Sequence, residues 1–123
     1  MPKFVKEQIP LLIDLSQDTT LVRPYDHFPV NPLSSIPPYR MDDGVESIMI
    51  GEYLLWCAEG IINDKIYPSL TPALKNQNYN NDKRLTGKEI LEVREIYKSW
   101  WENYSKTDII SELPLEVTDY CWR

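Results

Sequence analysis

Gly44-Val45-Glu46-Ser47-Ile48-Met49-Ile50-Gly51-Glu52-Tyr53-Leu54-Leu55-Trp56-Cys57-Ala58-Glu59-Gly60-Ile61-Ile62 is the stretch that decides the fold. Its apolar side chains stand at 45, 48–50, 53–58, 61 and 62. At about 100° per residue they cover almost the whole circumference of a helix. Only a narrow strip of Ser47, Gly51, Glu52 and Glu59 breaks the apolar surface. A helix apolar nearly all round belongs inside a protein. The segment therefore predicts a central buried helix over about 44–59. Asp43 is its expected cap, with Glu46 as the returning half of a capping box. Gly60 is the expected stop.

Toward the C-terminus, Thr86-Gly87-Lys88-Glu89 has the form of a capping box. Ile90, Val93, Tyr97, Trp100, Trp101 and Tyr104 follow on one stripe about 100° wide. Lys88, Glu92, Glu95, Ser99 and Glu102 occupy the opposite face. An amphipathic helix over about 87–104 is expected, laid against the central one. Between the two helices, Thr71-Pro72 predicts a helical turn through Leu74, and the asparagine-rich 76–82 predicts an exposed loop. The tail after 108 is broken by Pro114 and carries Ile109, Ile110, Leu113, Val117, Tyr120 and Trp122. It is expected to pack in part as extended chain.

Toward the N-terminus the punctuation changes. Pro2, Pro10, Pro24, Pro29, Pro32, Pro37 and Pro38 are seven of the ten prolines. Each fixes φ, removes a backbone donor and biases its predecessor away from helix. Residues 1–40 therefore read as an irregular, proline-rich arm. Tyr25, Phe28, Val30, Leu33, Ile36 and Tyr39 are spaced along it as anchors to the helical part. Leu11–Leu15 and Thr19–Val22 are candidates for a short strand pair joined by Ser16-Gln17-Asp18. The expected fold is mostly α: one small compact domain with a central buried helix, an amphipathic helix and this arm.

The size supports such a core. A chain of 123 residues buries roughly two-thirds of its unfolded surface. Four Trp, eight Tyr and two Phe fill the interior and argue against disorder. The balance of 19 Asp and Glu against 13 Lys and Arg gives a net charge of −6. A negative field repels phosphate backbones, and only Lys83, Arg84 and Lys88 come close together among the cations. Nucleic acid is therefore not an expected partner, whereas a basic protein is. A merely solvated surface accounts for the same charges. No stretch approaches the roughly 18 apolar residues of a membrane span, and no signal-peptide core follows Met1.

The chemistry-bearing residues are few. Cys57 and Cys121 are the only cysteines and His27 the only histidine, so no zinc-ligand set forms. Cys57 sits in the apolar run, where a buried free thiol is expected, and a reducing cytoplasm follows from this cysteine usage. His27 in Tyr25-Asp26-His27-Phe28-Pro29 lacks a positioned nucleophile, and no Gly-rich phosphate loop exists. Neither cofactor nor metal is expected. Glu52 and Glu59 lie two turns apart on the central helix, roughly 10 Å between their backbones. Burial of one would raise its pKa and make acid–base work conceivable; contact with water or with Arg23 or Arg40 would make it structural.

These readings converge on a non-enzymatic protein-binding module in the cytoplasm. The narrow expectation is an acidic, immunity-type inhibitor of a basic enzyme such as a nuclease toxin, whose cationic surface an acidic protein covers. Its partner-binding candidates are Asp42, Asp43, Glu46, Glu92, Glu95, Glu102 and Trp101. Two alternatives stand beside it. One is an accessory or assembly protein of phage type that self-associates through its aromatic face. The other is a small enzyme or ligand-binding protein using Glu52 or Glu59.

Overall fold

Ile9, Leu12 and Ile13 recur at the spacing of one helix face, and all three are at most 2% exposed. The segment Ile9–Leu15 accordingly forms a helix, α1, entered through a 3₁₀ turn at Lys6–Gln8. Pro10 is tolerated because it sits in the first turn, where its missing N–H has no acceptor to satisfy. This overturns the expected strand pair in part. Leu11–Leu15 is helical, because the run Leu11-Leu12-Ile13 fits either period and burial of one face decides for helix.

The computed structural model describes residues 5–22, 48–65, 68–69, 73–78, 85–107 and 112–122. Most of the proline-rich arm, with the anchors from Tyr25 to Tyr39 and with His27, lies outside them, as do Asp42, Asp43 and Glu46. After α1 the order is β1 (Leu21–Val22), β2 (Ile48–Met49), α2 (Ile50–Ile62), β3 (Leu74–Asn76), α3 (Gly87–Thr107) and β4 (Tyr120–Trp122). The strands make two small antiparallel pairs. Leu21 faces Met49 and Val22 faces Ile48 in one. Leu74 faces Trp122, Lys75 faces Cys121 and Asn76 faces Tyr120 in the other. The fold is mostly α.

The central helix begins later than its sequence pattern implies. Ile48 and Met49 pair with β1, and α2 starts at Ile50 with Met49 as N-cap. The returning carboxylate is Glu52, whose Oε1 accepts the Met49 N–H at 3.2 Å. The same run offers a glutamate three residues after either cap position, and pairing with Leu21 and Val22 selects the second. Gly60 does not stop the helix either: it is buried within it, and α2 runs on to Ile62 with Asn63 as C-cap. The turn closes at Asp64, with φ 53, where Lys65 N–H donates to the Gly60 carbonyl at 2.8 Å. A left-handed residue that frees the last carbonyls for such a bond is a common helix ending.

α2 is central in the expected sense. Leu55 belongs to an apolar cluster with Ile9, Ile13, Leu85, Ile90, Val93 and Tyr97. Tyr53, Trp56, Cys57 and Ala58 belong to a second cluster with Leu12, Ile48 and Ala73 on its other side. A helix between two cores needs apolar groups around its circumference. α1 packs chiefly on α2, so closely that a Cβ on Gly51 would stand 1.9 Å from the Ser16 carbonyl oxygen.

α3 follows its sequence signals. Glu89 N–H donates to Thr86 Oγ1 at 3.2 Å, and Thr86 N–H donates to Glu89 Oε1 at 3.1 Å. Ile90, Val93 and Tyr97 are fully buried. Leu74 is not in a helical turn as expected; it opens β3, because the extended tail Tyr120–Trp122 pairs with it.

Candidate functional site

The two glutamates of α2 are the buried charged groups among the described residues, at 1% exposure for Glu52 and 7% for Glu59. Glu52 serves the backbone. Besides the Met49 N–H, it accepts the Leu74 N–H on Oε2 at 2.7 Å. It thereby caps α2 from within and pins the start of β3, and its negative charge sits favourably at a helix N-terminus.

Glu59 is held from both sides. Asn63 Nδ2 donates to Oε1 at 2.8 Å, and the Tyr97 hydroxyl donates to Oε2. Tyr97 in turn accepts the Trp122 indole N–H at 3.0 Å. One chain of hydrogen bonds thus links β4, α3 and α2. Burial, reinforced by the adjacent Glu59 charge and by the bond donated to it, pushes the Tyr97 hydroxyl well above the ordinary tyrosine range. Both oxygens of each glutamate are engaged with protein donors. The sequence alternative of contact with Arg23 or Arg40 falls on positions outside the described residues.

The partner candidates on α3 separate in space. Glu92, Glu95 and Glu102 are exposed, and so are Lys88, Lys98 and Lys106 on the same helix. That face is a mixed one and carries no surplus of either sign. Glu95 accepts from Arg94 Nη1 at 3.1 Å. Glu92 accepts the Tyr120 hydroxyl at 2.9 Å. Trp101 is half-buried, packed on the first core cluster and tilted 45° against Tyr104.

An acidic surplus lies on the segment that follows α3, where no sequence pattern singled it out. Glu112, Glu116 and Asp119 are all exposed, and no cation occurs between 112 and 122. The segment is fastened to α3 at both ends: Trp100 Nε1 donates to the Glu112 carbonyl at 2.7 Å, and Tyr120 bonds Glu92. Within it the Leu113 N–H donates to Glu116 Oε2 at 2.9 Å, and Thr118 Oγ1 donates to the Leu115 carbonyl at 2.9 Å. Val117, 76% exposed, projects from its middle. The bonds of Glu112 and Tyr120 to α3 set where these carboxylates stand.

The thiols are free. Cys57 is buried, which pushes its pKa up to about 12 and keeps the thiol protonated at neutral pH. Cys121 is half-buried on β4. Among the described residues no three His, Cys, Asp or Glu side chains are placed to hold a metal ion, and no helix is long and apolar enough to cross a membrane.

No curated protein and no solved structure matches the chain. Over residues 1–123 it belongs to the family described as a domain of unknown function, DUF4943.

Proposed function

We propose that the protein is a non-enzymatic binding module that docks a basic protein partner through the acidic strip of Glu92, Glu112, Glu116 and Asp119. The observation that carries this reading is the cation-free segment 112–122, on which Glu112, Glu116 and Asp119 are exposed with Val117 at 76% exposure, and which Tyr120 ties to the exposed Glu92 of α3. Exposed carboxylates without cations on the same segment steer the encounter with a basic partner, and an exposed apolar side chain such as Val117 adds contact at an interface. The engagement of Glu52 and Glu59 in internal hydrogen bonds supports a role without acid–base chemistry.

A basic enzyme that must hold phosphates, such as a nuclease toxin, is the partner class with the complementary surface. An immunity-type inhibitor acting in the cytoplasm is the specific form of this proposal. The test is affinity capture with the protein as bait, at low and at high salt. One stoichiometric basic protein, recovered at low salt and released at high salt, is the expected result. The pair Glu112→Lys and Asp119→Lys should slow association about tenfold. Glu102→Lys, on the mixed face, should leave it unchanged. Equal loss in both variants, or recovery of the chain alone, overturns the proposal.

A further inference from the structure

The 112–122 segment is tied to α3 at the wall of a cavity. Lys6, Ile9, Ile61, Ile62, Trp100 and Tyr104 line a half-open space of about 110 Å³ where the N-terminal 3₁₀ turn, α1, the end of α2 and the last turns of α3 meet. Ile9, Ile61 and Ile62 give it aliphatic walls. Trp100 and Tyr104 give it an aromatic one, their rings stacked at 5.1 Å with 7° between the planes.

Trp100 belongs to both features. Its side chain lines the cavity, and its Nε1 donates to the Glu112 carbonyl at 2.7 Å. That bond sets the start of the cation-free segment against the cavity wall, and the exposed carboxylates of Glu112 and Glu116 follow on the same segment. None of the lining residues is acidic, and their one charged head is a cation, the Lys6 ammonium 4.6 Å from the centre of the Tyr104 ring. The cavity therefore offers no carboxylate to a lysine or arginine head. A basic partner would set its cations on the segment, and what enters the cavity is uncharged.

We infer that the cavity seats one apolar side chain of the basic protein that docks on the 112–122 segment, which rests on the docking function proposed above. Interfaces concentrate affinity in a few side chains held in desolvated pockets, while surrounding charges steer the approach. A dry apolar cavity of about 150 Å³ holds benzene, so one of about 110 Å³ suits the branched four-carbon side chain of leucine. The partner's docking element is thus a leucine flanked by lysines or arginines. The leucine lies against Ile61, Ile62 and Trp100, and the cations stand toward Glu112 and Glu116.

The test titrates the full chain at low salt with two capped peptides, Lys-Lys-Leu-Lys-Lys and Lys-Lys-Ala-Lys-Lys, followed by two-dimensional NMR. The Trp100 indole N–H resonance, assigned by its disappearance in Trp100→Phe, reports on the cavity wall. Saturable shifts are expected with the leucine peptide, at a Kd on the order of 1 mM, together with Overhauser contacts from its leucine methyls to Ile61 and Ile62. The alanine peptide should bind about tenfold more weakly, since three buried carbons are lost. In the pair Glu112→Lys and Asp119→Lys, the leucine peptide should lose about tenfold as well. Equal binding of the two peptides, or leucine methyl contacts elsewhere, overturns the seating of a side chain in the cavity and leaves docking on the acidic segment standing. Unchanged binding of the leucine peptide to the charge-reversed pair overturns the docking itself, and the seated side chain with it. A leucine peptide that gives no saturable shift overturns the seating outright.

Discussion

Glu52 and Glu59 show how little a residue's identity says about its role until its partners are known. Both are carboxylates in an apolar helix, a pattern shared by catalytic acids and structural hubs. In the fold Glu52 accepts two backbone N–H groups from separate elements. Glu52→Ala leaves both donors buried without acceptors, which should cost about 2–6 kcal/mol, at about 1–3 kcal/mol for each group. Urea unfolding would measure it, and a midpoint within error of the parent would show that these bonds contribute nothing. Trp56, fully buried with its indole N–H on Ser69 Oγ at 2.8 Å, should cost about 3–5 kcal/mol as Trp56→Ala. Gly51 makes a sharper case. Its missing Cβ lets the Ser16 and Asp18 carbonyls approach the first turn of α2, and Asp18 accepts the Gly51 N–H at 2.7 Å. Gly51→Ala, favourable by helix propensity alone, should instead destabilise by about 1–3 kcal/mol or more. A rise in thermal midpoint would show that the contact relaxes freely.

At the scale of elements, local signals and long-range pairing had unequal visibility. α3 was legible because its cap, its stripe and its solvent face all lie within one window of sequence and agree. Thr86→Ala removes the side-chain acceptor of that cap and should cost about 1 kcal/mol. Because its side chain is exposed, the loss should appear in unfolding midpoint with the denaturant slope unchanged. The strands were illegible for a physical reason. Runs of two or three residues show no period-2 pattern, and β1 finds its partner only after the arm has returned the chain to Ile48. That pairing also moved the start of α2 from the Asp43 region to Ile50. The link between α1 and α3 was equally invisible. Arg94 Nε donates to the Ile13 carbonyl at 2.9 Å, with Nη2 3.8 Å from Asp14, so an α3 side chain closes the open end of α1. The arginine reads in sequence as one more charge on a soluble helix. The carboxylates of the 112–122 segment were legible as residues, and their fastening to α3 through Trp100 and Tyr120 was not.

The whole molecule is joined across its layers by the run from Trp122 through Tyr97 to Glu59 and Asn63, and this makes its stability depend on alkaline pH in a defined way. Tyr97 keeps its proton in the folded state well above the range of a free tyrosine. A group whose folded pKa is raised lends stability that is complete below its unfolded pKa and is lost as pH climbs toward the folded value. Cys57 has the same sign, since its ordinary value of 9.0 is lifted to about 12 by burial. Stability should therefore begin to fall near pH 9 as the unfolded chain releases the thiol proton. It should fall more steeply above pH 10, where Tyr97 joins, at about 1.4 kcal/mol per pH unit for each group. Guanidinium unfolding at stepped pH measures this slope. In Cys57→Ala the onset should move from near pH 9 to near pH 10. In Tyr97→Phe the steeper limb should flatten by one group's worth, although the variant starts from a lower plateau because Trp122 and Glu59 lose their common partner. That flattening separates the proton from the packing: a ring that merely filled space would lower the plateau and leave the slope intact. Parallel curves for parent and Tyr97→Phe above pH 10 would mean that the hydroxyl reaches solvent often enough to titrate, and that the three elements are held together by apolar contact alone.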